Sequence, residues 1–103
     1  MKPAFVQQKR AFVLLGCFFM YAELLVDIGI LISELQKNSR FETVQYFQSQ
    51  YDKISLQDER AVAAVKELTS IAALTQYGNF SFQEEALLTS VIERAIVIKH
   101  LIR

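Results

Sequence analysis

Apolar residues recur at alternating intervals of three and four through most of the chain, which is the spacing of an amphipathic α-helix. Short polar segments divide this pattern into four parts. The pattern therefore predicts helices over residues 3–37, 40–53, 56–77 and 82–102. Because the loops between them are short, helices that follow one another in the chain are expected to pack antiparallel.

Serine–carboxylate pairs mark the predicted starts of the last three helices. In a capping box, the serine oxygen accepts from an amide of the first turn and the carboxylate reaches back to the cap residue. The pairs with this spacing are Ser39 with Glu42, Ser55 with Asp58, and Ser81 with Glu84. Pro3 suits the first turn of the first helix, and Gly78 suits a left-handed cap at the end of the third.

The first predicted helix carries two apolar seams instead of one. On a helical wheel they lie roughly a third of a turn apart, and two seams indicate neighbours on two sides. The first seam consists of Phe12, Leu15, Phe19, Ala22, Val26 and Gly29. The second seam consists of Leu14, Phe18, Tyr21, Leu25, Ile28, Ile32 and Leu35. The pattern thus predicts an all-α, four-helix bundle-like domain with a long central N-terminal helix.

The length of this helix suggests a partner subunit. At about 1.5 Å per residue it is roughly 50 Å long, whereas the third and fourth helices are about 30 Å each. Either Gly16 or Gly29 breaks it, or a second subunit covers the apolar excess. We favour the second subunit, because large exposed apolar surfaces are rare, and predict a homodimer through helix 1. The predicted core and dimer seam contains Phe12, Leu15, Phe19, Leu25, Val26, Ile28 and Ile32.

Composition narrows the functional classes. At 103 residues the chain is predicted to form a single helical domain, residues 1–103. Its apolar fraction of 52% is slightly above the usual range, and on a short chain such a surplus can enter a subunit interface, a membrane or a partner's groove. Basic and acidic residues balance at 11 each, which argues against a nucleic-acid partner. The single cysteine, Cys17, excludes an intrachain disulfide and fits a reducing, cytoplasmic location.

Basic residues precede an uncharged run at 11–22, which is the layout of a signal peptide. Met20 stands where cleavage after Ala22 would need a small residue, so we disfavour a targeting segment at residues 1–22. Acidic residues from Glu23 onward interrupt the apolar run before it reaches the roughly 20 residues that a transmembrane helix needs. We therefore expect no membrane partner.

Catalytic and metal-binding patterns are sparse. Glu23, Asp27 and Glu34 share one helix face, but they lack the Glu-x-x-His spacing of carboxylate metal sites in bundles. We interpret them as a solvated stripe, with a surface for a partner's Lys or Arg as the alternative. Cys17 is predicted to be a small buried hydrophobic residue. Since no nucleophile, base and orienting group can be assembled, we predict no enzymatic activity, no catalytic or metal residues and no cofactor.

The predicted function is protein binding through apolar helix faces, as a small adaptor, chaperone or inhibitor. The candidate partner-binding residues are Ile92, Ile96, His100, Glu23 and Asp27. Ile92 and Ile96 form a small ridge of the kind that fills a groove, and packing inside the chain or dimer is the alternative. Two other classes stay open: a toxin- or bacteriocin-immunity protein, by architecture alone, and a DNA-associated regulator, against which the neutral charge counts.

Overall fold

A computed structural model describes the backbone of residues 2–71 and 80–101, and the side chains of these ranges from residue 20 onward. Within this part of the chain the structure consists of helices joined by short turns and contains no strand. Its helices are α1 (Lys2–Lys37), α2 (Phe41–Ser55), α3 (Glu59–Thr69) and α4 (Phe82–Leu101). The predicted all-α class with four helices is confirmed for these residues. The predicted third helix extended to residue 77, but α3 ends at Thr69.

The four helices form a ring in which α1 and α3 each contact both α2 and α4. Short connections at 38–40 and 56–58 make α2 an antiparallel neighbour of both α1 and α3. Helix α4 also runs antiparallel to α1. Its first turn lies beside the end of α1, where Glu84 bonds Asn38, and its middle lies beside Asp27, which bonds Arg94. This packing gives a bundle-like fold.

One face of each helix forms the core. On α1 the inward residues again follow intervals of three and four: Tyr21, Leu24, Ile28, Leu31, Ile32 and Leu35. The other helices contribute Phe47, Ile54, Ala61, Ala64, Val65, Leu68, Leu88, Val91, Ile92, Ala95 and Ile98. A fully buried side chain of leucine, isoleucine or valine contributes about 1.5–3 kcal/mol through removal of its apolar surface from water. The core therefore fixes which side of α1 faces its own chain.

The two predicted seams of α1 are placed differently. From the second seam, Ile28 and Ile32 are buried and Leu25 packs half-buried against the core. From the first seam, Val26 is 60% exposed, so it is not part of the chain's own core. The reason is geometric: α2 and α4 lie on the side of Leu24 and Leu31, roughly 150° around the helix from Val26. The side chains of Phe12, Leu15 and Phe19 lie outside the described residues.

The predicted cap at Ser39 is wrong, because Ser39 closes α1 instead of opening α2. Its φ of 59° lies in the left-handed region. The Ser39 amide donates to Gln36 O and the Arg40 amide donates to Leu35 O, which is the Schellman arrangement. Arg40 then precedes α2 without making a side-chain cap bond. The backbone turn thus takes the position that the sequence pattern assigned to a serine cap.

The predicted cap at Ser55 is also wrong, whereas the one at Ser81 is confirmed. Ser55 is the last residue of α2, and its hydroxyl donates to Tyr51 O. Asp58 itself caps α3 by accepting from the Arg60 amide at 2.8 Å. At α4 the box is reciprocal: the Glu84 amide donates to Ser81 Oγ at 3.1 Å, and the Ser81 amide donates to Glu84 Oε1 at 2.7 Å. The predicted cap at Gly78 lies outside the described residues.

Candidate functional site

An uncovered apolar strip runs along α1 on the side away from α2 and α4. We call it the outer face and define it as Ala22, Val26, Gly29, Ile30 and Ser33. Val26 is 60% exposed and Ile30 is 49% exposed. A Cβ added at Gly29 would meet no atom within 4 Å, so this position also borders open space. Among the described residues, this strip is therefore available to a partner.

The outer face continues a pattern that extends beyond it in sequence. Its residues Ala22, Val26 and Gly29 are the later members of the first apolar seam, and Phe12, Leu15 and Phe19 are the earlier members of that seam. The backbone is α-helical from Lys2 to Lys37, without a break at Gly16 or Gly29. Because one continuous helix keeps one periodicity, all these positions lie in register along one line of α1.

A charged group borders the outer face where α1 meets α4. Arg94 donates through Nε to Asp27 Oδ2 and through Nη1 to Glu23 Oε2. These bonds raise the pKa of Arg94, first through the hydrogen bond to Asp27 and then through the charges of both carboxylates, against an opposing effect of burial. The side chain of Glu23 is 58% exposed and that of Asp27 is 19% exposed. Exposed pairs of this kind contribute about 0–1 kcal/mol.

The acidic candidates Glu23 and Asp27 thus already have a partner in their own chain. The sequence did not indicate Arg94, because Glu23 and Arg94 are 71 positions apart. Only the packing of α4 against α1 brings them together. The group lies at the edge of the apolar strip, where a polar rim is typical of protein interfaces. Beside it, a shallow groove is lined by Met20, Ser90, Glu93, Arg94 and Val97.

The candidates on α4 do not form the predicted ridge. Ile92 is buried at 8% exposure, because it packs beside the inward residues of α4, whereas Ile96 is 40% exposed. His100 is exposed and lies one turn from Ile96. Arg94 and Ile96 point about 160° apart on the helix. Ile96 and His100 therefore face a different direction from the acids of α1, and the structure does not bring the five candidate residues together.

A buried carboxylate at the other end of the bundle has a structural role. Glu84 is fully buried, and its Oε2 accepts from Arg40 Nε at 2.8 Å and from Asn38 Nδ2 at 3.0 Å. Burial alone would raise the pKa of Glu84, but the bonds from Ser81, Asn38 and Arg40 outweigh it and hold the pKa below its ordinary value. Arg40 also stacks over Phe80, 5.4 Å from the ring centroid. Since both carboxylate oxygens are occupied, this group joins the α1–α2 connection to α4.

A second polar group lies between α2 and α3. Gln50 is 2% exposed and donates through Nε2 to Glu67. Among the described residues, Gln50 Oε1 and the Tyr46 hydroxyl are buried without a hydrogen-bond partner. The pKa of Tyr46 is raised above its ordinary value, mainly by burial. The Gln50 amide acts against this shift, and the charge of Glu67 adds to it. The raised pKa favours the protonated form of the Tyr46 hydroxyl.

Over the part of the chain that the structure describes, no three His, Cys, Asp or Glu residues are arranged to hold a metal ion. Nor does any helix there combine the length and apolar character that crossing a membrane requires. Comparisons of the chain with protein-family models, with curated proteins and with solved structures give no match. The function must therefore be argued from the surface of this molecule.

Proposed function

We propose that this chain is a non-enzymatic protein-binding module that contacts its partners through the outer face of α1. The observation that carries the proposal is the exposure of Val26 and Ile30 on an unbroken 36-residue helix. Contiguous exposed apolar surface with a polar rim is typical of protein interaction sites. The rim here is the group of Glu23, Asp27 and Arg94.

In this proposal α1 is the central helix of the assembly. Its inner residues, such as Leu24 and Ile28, pack against its own chain, while Val26 and Ile30 pack against a partner. An amphipathic or doubly apolar helix can recognise a partner through anchors spaced by three and four residues. The roles of adaptor, chaperone or inhibitor, a cytoplasmic location and a homodimeric state belong to this same proposal.

The test compares two lysine variants that differ in position but hardly in exposure. Val26 is 60% exposed on the outer face, and Phe41 is 66% exposed at the start of α2. We expect Val26→Lys bait to lose the proteins that wild-type bait captures from an extract of the native host. Phe41→Lys bait should keep them. Circular dichroism and thermal unfolding verify that both variants fold.

Two results would contradict the proposal. In the first, wild-type bait captures nothing above the resin control. In the second, Val26→Lys and Phe41→Lys recover the same proteins in the same amounts as wild type. Either result would mean that the outer face does not bind other proteins of the host.

A further inference from the structure

We infer that the occupant of the outer face is a second copy of this chain, whose α1 packs antiparallel against the first α1. The inference rests on the proposed function, because it names the partner of that same surface. Three features support it: the length of α1, the sizes of the residues along its first seam, and the distribution of charge along the helix.

Among the described helices, α4 accompanies only part of the length of α1. Its 36 residues span about 54 Å, which accounts for the longest dimension of the molecule, 56 Å. The 20 residues of α4 span about 30 Å. Glu84, in the first turn of α4, lies beside the end of α1, and Val97, one turn before the end of α4 at Leu101, lines the same groove as Met20. The N-terminal turns of α1 therefore extend beyond the end of α4.

The sizes of the seam residues favour an antiparallel second copy. The seam follows the three–four spacing of a coiled coil, with large residues in its first half and small ones in its second. When two copies pack antiparallel about Phe19, Phe12 of one lies at the level of Val26 of the other, Leu15 lies within one residue of the level of Ala22, and the two Phe19 positions meet at the axis. Away from the axis, large residues then meet smaller ones, which fills the interface evenly. A parallel in-register pair would instead place Phe12 against Phe12 and Phe19 against Phe19, and would leave Ala22 facing Ala22 and Gly29 facing Gly29.

Charge along α1 selects the same orientation. Lys2, Lys9 and Arg10 are basic and no acid occurs before Glu23, whereas Glu23, Asp27 and Glu34 are acidic and only Lys37 in the last turn is basic again. Arg94 offsets only part of this negative charge. Antiparallel packing brings the basic end of one α1 to the acidic half of the other, and parallel packing brings like charges together. Complementary charge of this kind sets the orientation of partners.

The area available requires overlap along the whole helix. A strip about 54 Å long and about 10 Å wide on each copy gives on the order of 1,000 Å² for the pair. A specific interface needs about that much or more. An overlap of only half the helix would bury too little area for a specific interface. An axis near Phe19, the middle of α1, gives the end-to-end overlap.

Disulfide trapping tests the orientation in a Cys17→Ser background. We expect a mixture of Phe12→Cys and Val26→Cys chains to form the mixed 12–26 cross-link under mild oxidation. Val26→Cys alone should not cross-link to itself, because two copies of position 26 lie about 21 Å apart in the antiparallel pair, and a disulfide needs Cα atoms within about 7 Å. Efficient self-linking of Val26→Cys, or failure of the mixed pair to link, would overturn the inference.

Light scattering tests whether the second copy binds at all. We expect wild type and Phe41→Lys to form dimers of twice the 11.8 kDa chain mass. Val26→Lys should be a monomer with the mass of one chain. A monomeric wild type overturns the inference. If that monomer still captures other proteins through Val26, the proposed function stands without the dimer, and if it captures none, both are wrong. Because trapping uses cysteine variants and scattering uses wild type, a misfolded lysine variant would not hide the answer.

Discussion

Both sides of α1 carry large aliphatic residues, but in opposite surroundings. On the inner side, Leu24, Ile28 and Leu31 are at most 1% exposed. On the outer side, Val26 is 60% exposed and Ile30 is 49% exposed. These residues alternate within a few positions of one another in the same helix. The difference arises because α2 and α4 both pack on one side. An apolar pattern therefore identifies surface that needs a cover, but not which molecule provides it.

The two sides should also contribute to different equilibria. Burial of the inner side occurs when the chain folds, so its apolar area stabilises the folded monomer. Burial of the outer side occurs only on association, so its area stabilises an assembly and makes unfolding depend on protein concentration. Substitutions on the two sides should therefore affect folding and association separately.

The largest effect is expected from truncation on the inner side. Ile28→Ala should lower the free energy of unfolding by about 2–5 kcal/mol, because it leaves a cavity in the core. Val26→Ala should change it by no more than about 0.5 kcal/mol in dilute protein, as exposed sites usually do. Urea unfolding over a range of protein concentrations measures both. Comparable losses at the lowest concentration would mean that the outer face is also covered within the chain.

Acid should weaken the inner packing through Glu84. Because the pKa of Glu84 is held below its ordinary value, the folded protein binds the proton less readily than the unfolded chain does. The resulting stabilisation is fully present above the ordinary carboxyl pKa of about 4.3. It is lost as the pH falls through the lower pKa of the folded state. Melting temperatures measured from pH 7 down to pH 3 should show this decline.

The control for the acid prediction is Glu84→Gln, which keeps the side-chain shape but not the charge. It should lower stability at pH 7 by about 1–3 kcal/mol, the value of hydrogen bonds to a charged group. It should also flatten the decline in acid. A variant that declines as steeply as wild type would assign the acid sensitivity to other carboxylates.

Two serines outside both faces should have opposite effects. Ser81→Ala removes a confirmed cap and should cost about 0.5–2 kcal/mol. Ser39→Gly should instead stabilise by up to about 1 kcal/mol, because Ser39 has φ 59° and glycine adopts that conformation without a Cβ penalty. Thermal unfolding measures both, and the dimer mass should stay unchanged. A loss of stability in Ser39→Gly would show that the serine side chain stabilises the turn.

The periodicity of the sequence predicted most of the architecture. The first, second and fourth helices were predicted to within a few residues, because each has a sustained three–four pattern. Two of the three predicted serine caps were wrong. Ser39 belongs to the backbone turn that ends α1, and Asp58 caps α3 in place of Ser55. The spacing of a capping box is short, and it does not distinguish the start of one helix from the end of the previous one.

The direction of the core and the charged partners required the structure. Helix α1 is apolar over most of its circumference, so periodicity did not select Leu24 and Leu31 as inward residues. It did place Val26 on the first seam, apart from the second seam that contributes Ile28 and Ile32 to the core. Arg94 and the burial of Ile92 were missed because each depends on which helices are neighbours, and that is information from distant parts of the chain. Candidate residues inferred from one helix at a time therefore included both exposed and buried positions.

The smallest effect is expected at Gly29, where one substitution should raise the stability of the monomer and weaken its association. Within the chain, the Cβ of Gly29→Ala meets no atom within 4 Å, so nothing opposes it there. Alanine is preferred over glycine inside a helix, and the dilute monomer should gain about 0.5–1 kcal/mol in stability. In the proposed dimer the added methyl group would enter the seam and weaken association. Urea unfolding at low concentration measures the first effect, and light scattering over a dilution series measures the second. A gain in stability with unchanged association would place Gly29 outside the interface and move the contact toward Val26 and Ala22.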